Sequence, residues 1–99
     1  MAIRLDLNNP EFQEQWFALE QPERLAVLNC CGKLAVMEWN SVYSDRGLNW
    51  EVIQSRTRPG MERLYSIRLT CKVRAVVRRS GDFLEFLTLH PDHDSAYRQ

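Results

Sequence analysis

The chain has 99 residues, 44% of them hydrophobic, and a formal net charge of 0 at pH 7. This length and composition are typical of one small globular domain, here residues 1–99, and exclude a disordered chain. The apolar runs fall far short of the ~20 residues of a transmembrane helix, and the first residues lack the apolar core of a signal peptide. We therefore expect a cytoplasmic protein that has no membrane partner.

A strand and a helix are predicted at the start of the chain. Apolar and polar residues alternate from 3 to 7, which indicates a short half-buried strand. Asn9 and Pro10 then match the preferred N-cap residue and the preferred first residue of a helix. The apolar residues of this helix recur at helical spacing and are Phe12, Trp16 and Leu19.

A second helix is predicted from Gln21 to about Met37. Its apolar stripe is expected to consist of Leu25, Leu28, Cys31 and Ala35. The proline at position 22 marks a tight junction, which predicts that the two helices form a helical hairpin. From 38 to 63 the apolar residues are scattered among polar residues and turn formers, which favours irregular structure.

Residues 64–90 predict three antiparallel β-strands with the sequences LYSIRLT, KVRAVVRR and FLEFLTLH. Ser80-Gly81-Asp82, between the last two runs, is typical of a hairpin turn. Alternation places one set of side chains toward the core, namely Tyr65, Ile67, Leu69, Val73, Ala75 and Val77. The opposite face is expected to be open and to carry the basic residues Arg68, Lys72, Arg74 and Arg78. The predicted fold is α+β, in which an N-terminal strand and a helical hairpin pack on a small antiparallel β-sheet.

Positive charge is concentrated in residues 56–79, which hold eight basic residues and one carboxylate. Seven of the eight are arginines, whose planar guanidinium groups match the geometry of phosphate. Such charges also suit a solvated sheet face, and Arg68 and Arg74 have the alternative of pairing with Glu62 or Glu85 across strands. The scarcity of carboxylates in this segment favours a polyanionic partner.

The three cysteines, Cys30, Cys31 and Cys71, are odd in number and lack the CxxC spacing. Disulfide frameworks need pairs of cysteines, and zinc sites need closely spaced ligands. We therefore expect free thiols, no metal site and no cofactor.

Three segments resemble the RelE/ParE superfamily of bacterial toxins from type II toxin–antitoxin pairs. They are GLNWEVIQ at 47–54, YSIRLTCKVRAVVRRSGDFLEFLTLH at 65–90 and HDSAYR at 93–98. The first half of the chain matches this superfamily in element order. The resemblance implies a RelE/ParE-like version of the α+β fold and a cognate antitoxin protein as partner.

Many RelE-like toxins are ribosome-dependent endoribonucleases, so the resemblance implies metal-independent cleavage of messenger RNA on the ribosome. The ribose 2′-OH attacks the adjacent phosphate, which leaves a cyclic phosphate and a 5′-OH. The reaction needs a base for the 2′ proton, cations beside the phosphate and an acid for the leaving oxygen. The catalytic residues implied by the motifs are Arg68, Arg74, His93 and Tyr97. The implied RNA-binding residues are Arg56, Arg58, Arg63, Lys72 and Arg78.

His90 is another candidate for acid–base chemistry, since an imidazole titrates near neutral pH, although a histidine at a strand end is more often structural. A non-catalytic protein of the same fold is the alternative interpretation, either a ParE-like inhibitor of DNA gyrase or a degenerate toxin held by its partner. Ser66, at a position that is basic in some relatives, and the zero net charge favour this alternative. Arg68, Lys72 and Arg74 on one sheet face favour the nuclease.

Overall fold

A five-stranded mixed β-sheet and three helices make up the part of the chain that the computed structural model describes, residues 3–53 and 63–91. The elements in chain order are β1 (Arg4–Asp6), α1 (Pro10–Phe17), α2 (Gln21–Leu34), α3 (Trp39–Ser44), β2 (Glu51–Val52), β3 (Tyr65–Arg68), β4 (Arg74–Ser80) and β5 (Phe83–His90). The strand order in the sheet is β1-β5-β4-β3-β2. The predicted α+β class is confirmed. Within the described ranges, no helix is long and apolar enough to cross a membrane.

The three predicted strands correspond to β3, β4 and β5, which pair in antiparallel order. β1 joins the same sheet in parallel with β5, where Leu5 lies opposite Leu84. The sheet is therefore mixed, whereas the sequence predicted an antiparallel one. The paired residues lie near opposite ends of the chain, so the local sequence does not indicate whether the two strands pair in parallel or antiparallel.

The β4–β5 hairpin has the predicted turn. Ser80 lies opposite Phe83, and Gly81 and Asp82 form the two-residue connection. Gly81 has a φ of 60°, a left-handed conformation that glycine adopts without the steric penalty of a Cβ atom. The hairpin prediction is confirmed.

The turn between β3 and β4 is organised by Thr70. Its hydroxyl Oγ1 accepts the backbone N–H groups of Lys72 at 3.1 Å and of Val73 at 2.9 Å. A side-chain acceptor of this kind forms the hydrogen bonds of a turn, in place of the hydrogen bonds between paired strands. β4 consequently begins at Arg74, and Lys72 lies in the turn, not on the strand as predicted.

The predicted start of α1 is confirmed. The Asn9 side-chain oxygen Oδ1 accepts the N–H groups of Glu11 at 2.9 Å and of Phe12 at 3.4 Å, which satisfies two of the free donors at the helix start. Phe12 is fully buried, and its ring centroid lies 5.3 Å from that of Phe86 in β5. This contact holds α1 against the sheet.

Of the predicted apolar stripe of α2, only Cys31 is buried, and the helix ends at Leu34 instead of about Met37. Its buried residues are Val27, Cys31 and Leu34. Leu25 and Leu28 of the predicted stripe are 49% and 51% exposed. Both sets of residues have helical spacing, so periodicity alone does not choose between them. Packing of α2 against the sheet determines which of the two sets is buried.

The region that was predicted to be irregular contains α3 and the short strand β2. Aromatic side chains hold these two elements on the body of the protein. The Trp50 ring stacks on Tyr65 of β3 with centroids 4.5 Å apart, and its edge meets Trp39 of α3 at 6.5 Å. These contacts join residues without periodic spacing, which explains why no sequence pattern indicated α3 or β2.

The main core lies between the helices and one face of the sheet. The strand residues predicted to face it are buried there, including Ile67, Leu69, Val73, Ala75 and Val77. A smaller apolar cluster lies elsewhere, with Ile53 and Val76 buried and with Leu64 and Leu87 packed against them. Val76 alternates with Ala75 and Val77 along β4, so this cluster lies on the opposite face of the sheet. That face is therefore partly covered, and the prediction that it is open is wrong.

Candidate functional site

Three potentially functional side chains form a row across the sheet face that is opposite the helices. Arg68 of β3 lies directly opposite Arg74 of β4, and Arg74 lies directly opposite His90 of β5. Residues that are directly opposite on neighbouring strands point to the same face. The expected proximity of Arg68 and Arg74 is confirmed, and the structure adds an imidazole on the far side of Arg74.

Arg74, at the centre of this row, is buried, with only 3% of its surface exposed. Its guanidinium Nε donates a hydrogen bond of 2.8 Å to Oγ of Ser66, which is itself fully buried, and Nη2 lies 3.5 Å from the Asn49 carbonyl oxygen. The prediction that Arg74 lies on an open face is wrong, because the fold buries its side chain beside Ser66 and the Asn49 carbonyl. Its guanidinium is consequently fixed in position by the fold.

The buried charge of Arg74 has no carboxylate as ion-pair partner among residues 3–53 and 63–91. Glu51 lies opposite the neighbouring Ser66, and its Oε1 accepts a hydrogen bond of 2.9 Å from the Asn49 amide. Buried charges in proteins are normally paired with a counter-charge, because removing an ion from water is unfavourable. The row thus contains a fixed positive charge that an anion would neutralise.

Arg68 differs from Arg74 in being exposed at the end of its strand. Its backbone N–H donates to the Leu48 carbonyl oxygen at 2.7 Å, while its guanidinium makes no hydrogen bond or ion pair within the described part of the chain. Arg68 also lines an open groove of about 670 Å³ beside α2, together with Lys33. It is therefore free to reach an anion that approaches from solvent.

His90 closes the row at the end of β5. Its Nε2 lies 2.8 Å from the Thr88 hydroxyl oxygen, and its side chain is half-buried. His90 also lines a second groove, of about 640 Å³, which is bordered by Glu20, the N-cap residue of α2, by Glu23 and by Lys72. An imidazole at this point is accessible from the groove and stands beside the Arg74 strand.

The other predicted RNA-binding residues are dispersed. Lys72 is exposed in the β3–β4 turn, outside β4, and lines the same groove as His90, next to Glu20 and Glu23. Arg78 forms a cross-strand ion pair of 2.6 Å with Glu85, the partner that was considered for Arg68 and Arg74. Arg63 is exposed at the opposite end of β3 from Arg68. The structure therefore brings together only part of the predicted site.

Four predicted site residues lie outside the described part of the chain: Arg56, Arg58, His93 and Tyr97. Their placement relative to the row is not tested, and the same holds for Glu62 as a possible partner of Arg68 or Arg74. Among the described groups, the sequence interpretation gave too little weight to His90 and assigned no positive role to Ser66.

A β-bulge explains why the place of His90 was not predicted. Counting pairs back from Ser80 opposite Phe83 puts Leu89 opposite Arg74 in a regular hairpin. The register shifts by one residue between Val76 and Val77, and this shift puts His90 there instead. A one-residue shift exchanges the two faces of a strand. The sequence contains no residue that marks the bulge, so register counting alone misses the row.

Comparison of the chain with protein-family models, curated proteins and solved structures finds no match.

Proposed function

We propose that this protein is a RelE/ParE-type toxin that cleaves ribosome-bound messenger RNA without a metal ion. The observation that supports this most is the buried guanidinium of Arg74, which lacks a carboxylate partner in the described chain and lies in one row with Arg68 and His90. A phosphodiester supplies the missing negative charge. The α+β element order and the sequence motifs agree with this proposal.

The fixed position of Arg74 suits it to stabilise a phosphate during reaction. Charge on the phosphate oxygens grows as the 2′ oxygen bonds to phosphorus and the bond to the 5′ oxygen breaks. A cation that is already held by Ser66 needs no reorganisation at that moment, which is the condition for effective electrostatic stabilisation. Arg68 is exposed and has no side-chain partner in the described residues, so its guanidinium binds the same phosphate from the solvent side.

Proton transfer in this proposal is assigned to imidazole and phenol groups. The base takes the 2′ proton and the acid gives a proton to the departing 5′ oxygen, so that the products are a cyclic phosphate and a 5′-OH. His90 lies in the row and is a candidate for one of these steps. His93 and Tyr97, implied by the motif at 93–98, are the other candidates.

The proposed protein partner is a cognate antitoxin that binds the basic segment 56–79. An acidic peptide is the natural complement of eight basic residues and one carboxylate. The attraction would be partly electrostatic, so binding would weaken as the salt concentration rises.

The decisive test is a growth assay without a partner protein, combined with mapping of messenger RNA ends on purified ribosomes. We expect the wild type to slow growth and to create new RNA ends. Arg74→Met removes the fixed charge and should reduce the cleavage rate about 10²- to 10³-fold. Arg46→Ala, at an exposed position outside the basic segment, is the control and should remain toxic.

Two outcomes would contradict the proposal. If the wild type neither slows growth nor produces new RNA ends, the nuclease interpretation fails and the non-catalytic alternative replaces it. If the protein is toxic but cuts no RNA, inhibition of gyrase supercoiling is the activity to measure next. Far-UV circular dichroism of Arg74→Met separates loss of activity from loss of fold.

A further inference from the structure

The solvent side of α2 is largely apolar, although a surface helix normally presents charged and polar residues there. The exposed residues of α2 are Gln21, Pro22, Leu25, Leu28, Asn29, Gly32 and Lys33. Lys33 is the only charged residue among them, and its ammonium lies 3.3 Å from the Asp45 carboxylate. Beyond the helix end, Val36 is 80% exposed. A helix that is apolar on opposite sides is normally covered on both.

Three of these residues form one line along the helix. At about 100° per residue, Gly32 and Val36 lie within about 20° of Leu25 around the helix axis. The C-cap residue Ala35 has right-handed helical dihedral angles, so the line continues to Val36. Leu34, which is buried against the sheet, points the opposite way. Leu25, Leu28, Gly32 and Val36 are called the outer stripe.

Phe17 of α1 widens the outer stripe into a patch. Phe17 is 64% exposed, and its ring stacks on that of Trp16 with centroids 5.7 Å apart. The Trp16 indole Nε1–H donates to the Arg24 carbonyl oxygen of α2 at 3.2 Å, so Phe17 lies beside the first half of α2. Phe17 and the outer stripe together expose roughly 400 Å² of apolar surface, a size that often marks an interaction site.

Gly32 gives this patch a specific shape. A glycine inside a helix is destabilising relative to alanine. The described part of the chain does not require one here, because a Cβ atom added to Gly32 would meet no atom within 4 Å. The missing side chain leaves a gap in the outer stripe, two helical turns after Leu25, where the backbone of another helix can approach closely.

We propose that the outer stripe of α2 binds the outer stripe of a second copy of this chain, with the two helices antiparallel. A two-fold axis midway between residues 28 and 29 puts Leu25 of each copy over Gly32 of the other. One leucine thus fills the gap left by one glycine on each side of the axis. This reciprocal fit of large and small residues favours a second copy over an unrelated protein.

Charge and area agree with a dimer. The outer stripe is uncharged, so two copies meet without repulsion, and the dipoles of antiparallel helices attract each other. An acidic peptide finds no cation on this stripe. The contact removes roughly 1,000 Å² from water over both copies, the lower limit of a specific interface. We expect a Kd of about 10–100 µM, so the chain is mostly monomeric at low micromolar concentration.

Sedimentation-velocity ultracentrifugation of the full chain, from about 2 to about 300 µM, tests this dimer. The mass should rise with concentration from the monomer value of 11.7 kDa towards twice that value. Leu25→Glu places a charge in the interface and should weaken dimerisation at least about tenfold. Phe83→Glu, at a 41% exposed aromatic residue on β5, is the matched control and should stay within about twofold of the wild type.

Gly32→Leu distinguishes this geometry from unspecific association. The substitution enlarges the apolar patch, so unspecific association would become tighter. In the proposed dimer the new side chain collides with Leu25 of the other copy, and dimerisation should weaken about tenfold. The double variant with Leu25→Ala and Gly32→Leu exchanges the large and the small residue, and it should restore dimerisation to within about threefold of the wild type.

Four results would overturn the proposal: a wild type that stays monomeric up to the highest concentration, no effect of Leu25→Glu, tighter association of Gly32→Leu, or a double variant that dimerises no better than Gly32→Leu. A monomeric wild type would leave the outer stripe to a different protein. Both substituted positions are exposed in the monomer. Unchanged far-UV circular dichroism of each variant therefore shows that a weaker dimer reflects a lost contact and not a lost fold.

Discussion

Arg74 holds a positive charge inside the protein with a serine hydroxyl in place of a carboxylate. Buried ionic groups are frequently less stabilising than apolar side chains of similar volume. We therefore expect Arg74→Met to leave the free energy of unfolding unchanged or to raise it by about 1–2 kcal/mol, while it reduces the cleavage rate about 10²- to 10³-fold. Chemical denaturation of the two proteins measures this difference.

Ser66 provides the control for this argument. Ser66→Ala removes the acceptor of the Arg74 Nε–H and should lower the free energy of unfolding by about 1–2 kcal/mol in the wild type. The same change should be nearly neutral in Arg74→Met, because the donor is then absent. If Arg74→Met alone destabilises the protein by more than about 2 kcal/mol, Arg74 is a structural residue and the charge argument fails.

The three thiols differ in their surroundings and should differ in reactivity. Burial raises the pKa of the Cys31 thiol to about 12 and also raises the pKa of Cys30, while Cys71 is exposed. Alkylation requires the thiolate and access to it. We expect iodoacetamide at neutral pH to modify Cys71 first and Cys31 last, as measured by peptide mass spectrometry. Denatured protein, in which the three sites should react alike, is the control, and equal rates in the folded protein would contradict the burial of Cys31.

At the scale of the helix, α2 shows how one element offers two apolar stripes and buries only one. Leu34 is fully buried and Leu28 is 51% exposed, so the same substitution at the two positions separates them. Leu34→Ala should lower the free energy of unfolding by about 2–5 kcal/mol because it leaves a cavity. Leu28→Ala should change it by less than about 0.5 kcal/mol. Thermal melting of both variants checks the assignment, which fails if the two leucines behave alike.

In the strands, too, the local sequence determines which residues share a face, while distant segments determine which faces are buried. Alternation in β3 and β4 identified the inward-facing residues, and Ile67 and Ala75 are fully buried as that pattern predicts. It did not show that Ser66 and Val76 are buried on the other face, since their burial depends on other segments that cover them. A period-two pattern specifies which residues share a face, but not what lies on that face.

At the scale of the whole molecule, the sheet connects the two ends of the described chain. β1 completes the sheet beside β5, and α1 and α2 cover one face of it. The other face carries the Arg68–Arg74–His90 row at one end and the Arg78–Glu85 ion pair further along the strands. Among the described basic residues of segment 56–79, Arg78 is thus neutralised by Glu85, whereas Arg68 and Arg74 lie in the row and Arg63 and Arg79 line a pocket at the other end of β3 and β4.

The sequence alone determined the features that arise within a few residues. Three such features could be predicted, because each depends on local hydrogen bonds or on the period of one element: Asn9 as helix cap, the turn at Gly81 and the alternation through β3 and β4. The adjacency of Arg68 and Arg74 followed from that alternation.

Only the tertiary structure decided the features that depend on contacts between distant segments. Packing on the sheet selected the buried stripe of α2, and pairing across the chain made β1 parallel to β5. A one-residue bulge in β4 put His90 opposite Arg74, and the fold buried the Arg74 side chain beside Ser66 and the Asn49 carbonyl instead of leaving it at the surface. Register and burial are set by the partner of an element, and an element's own sequence does not identify that partner.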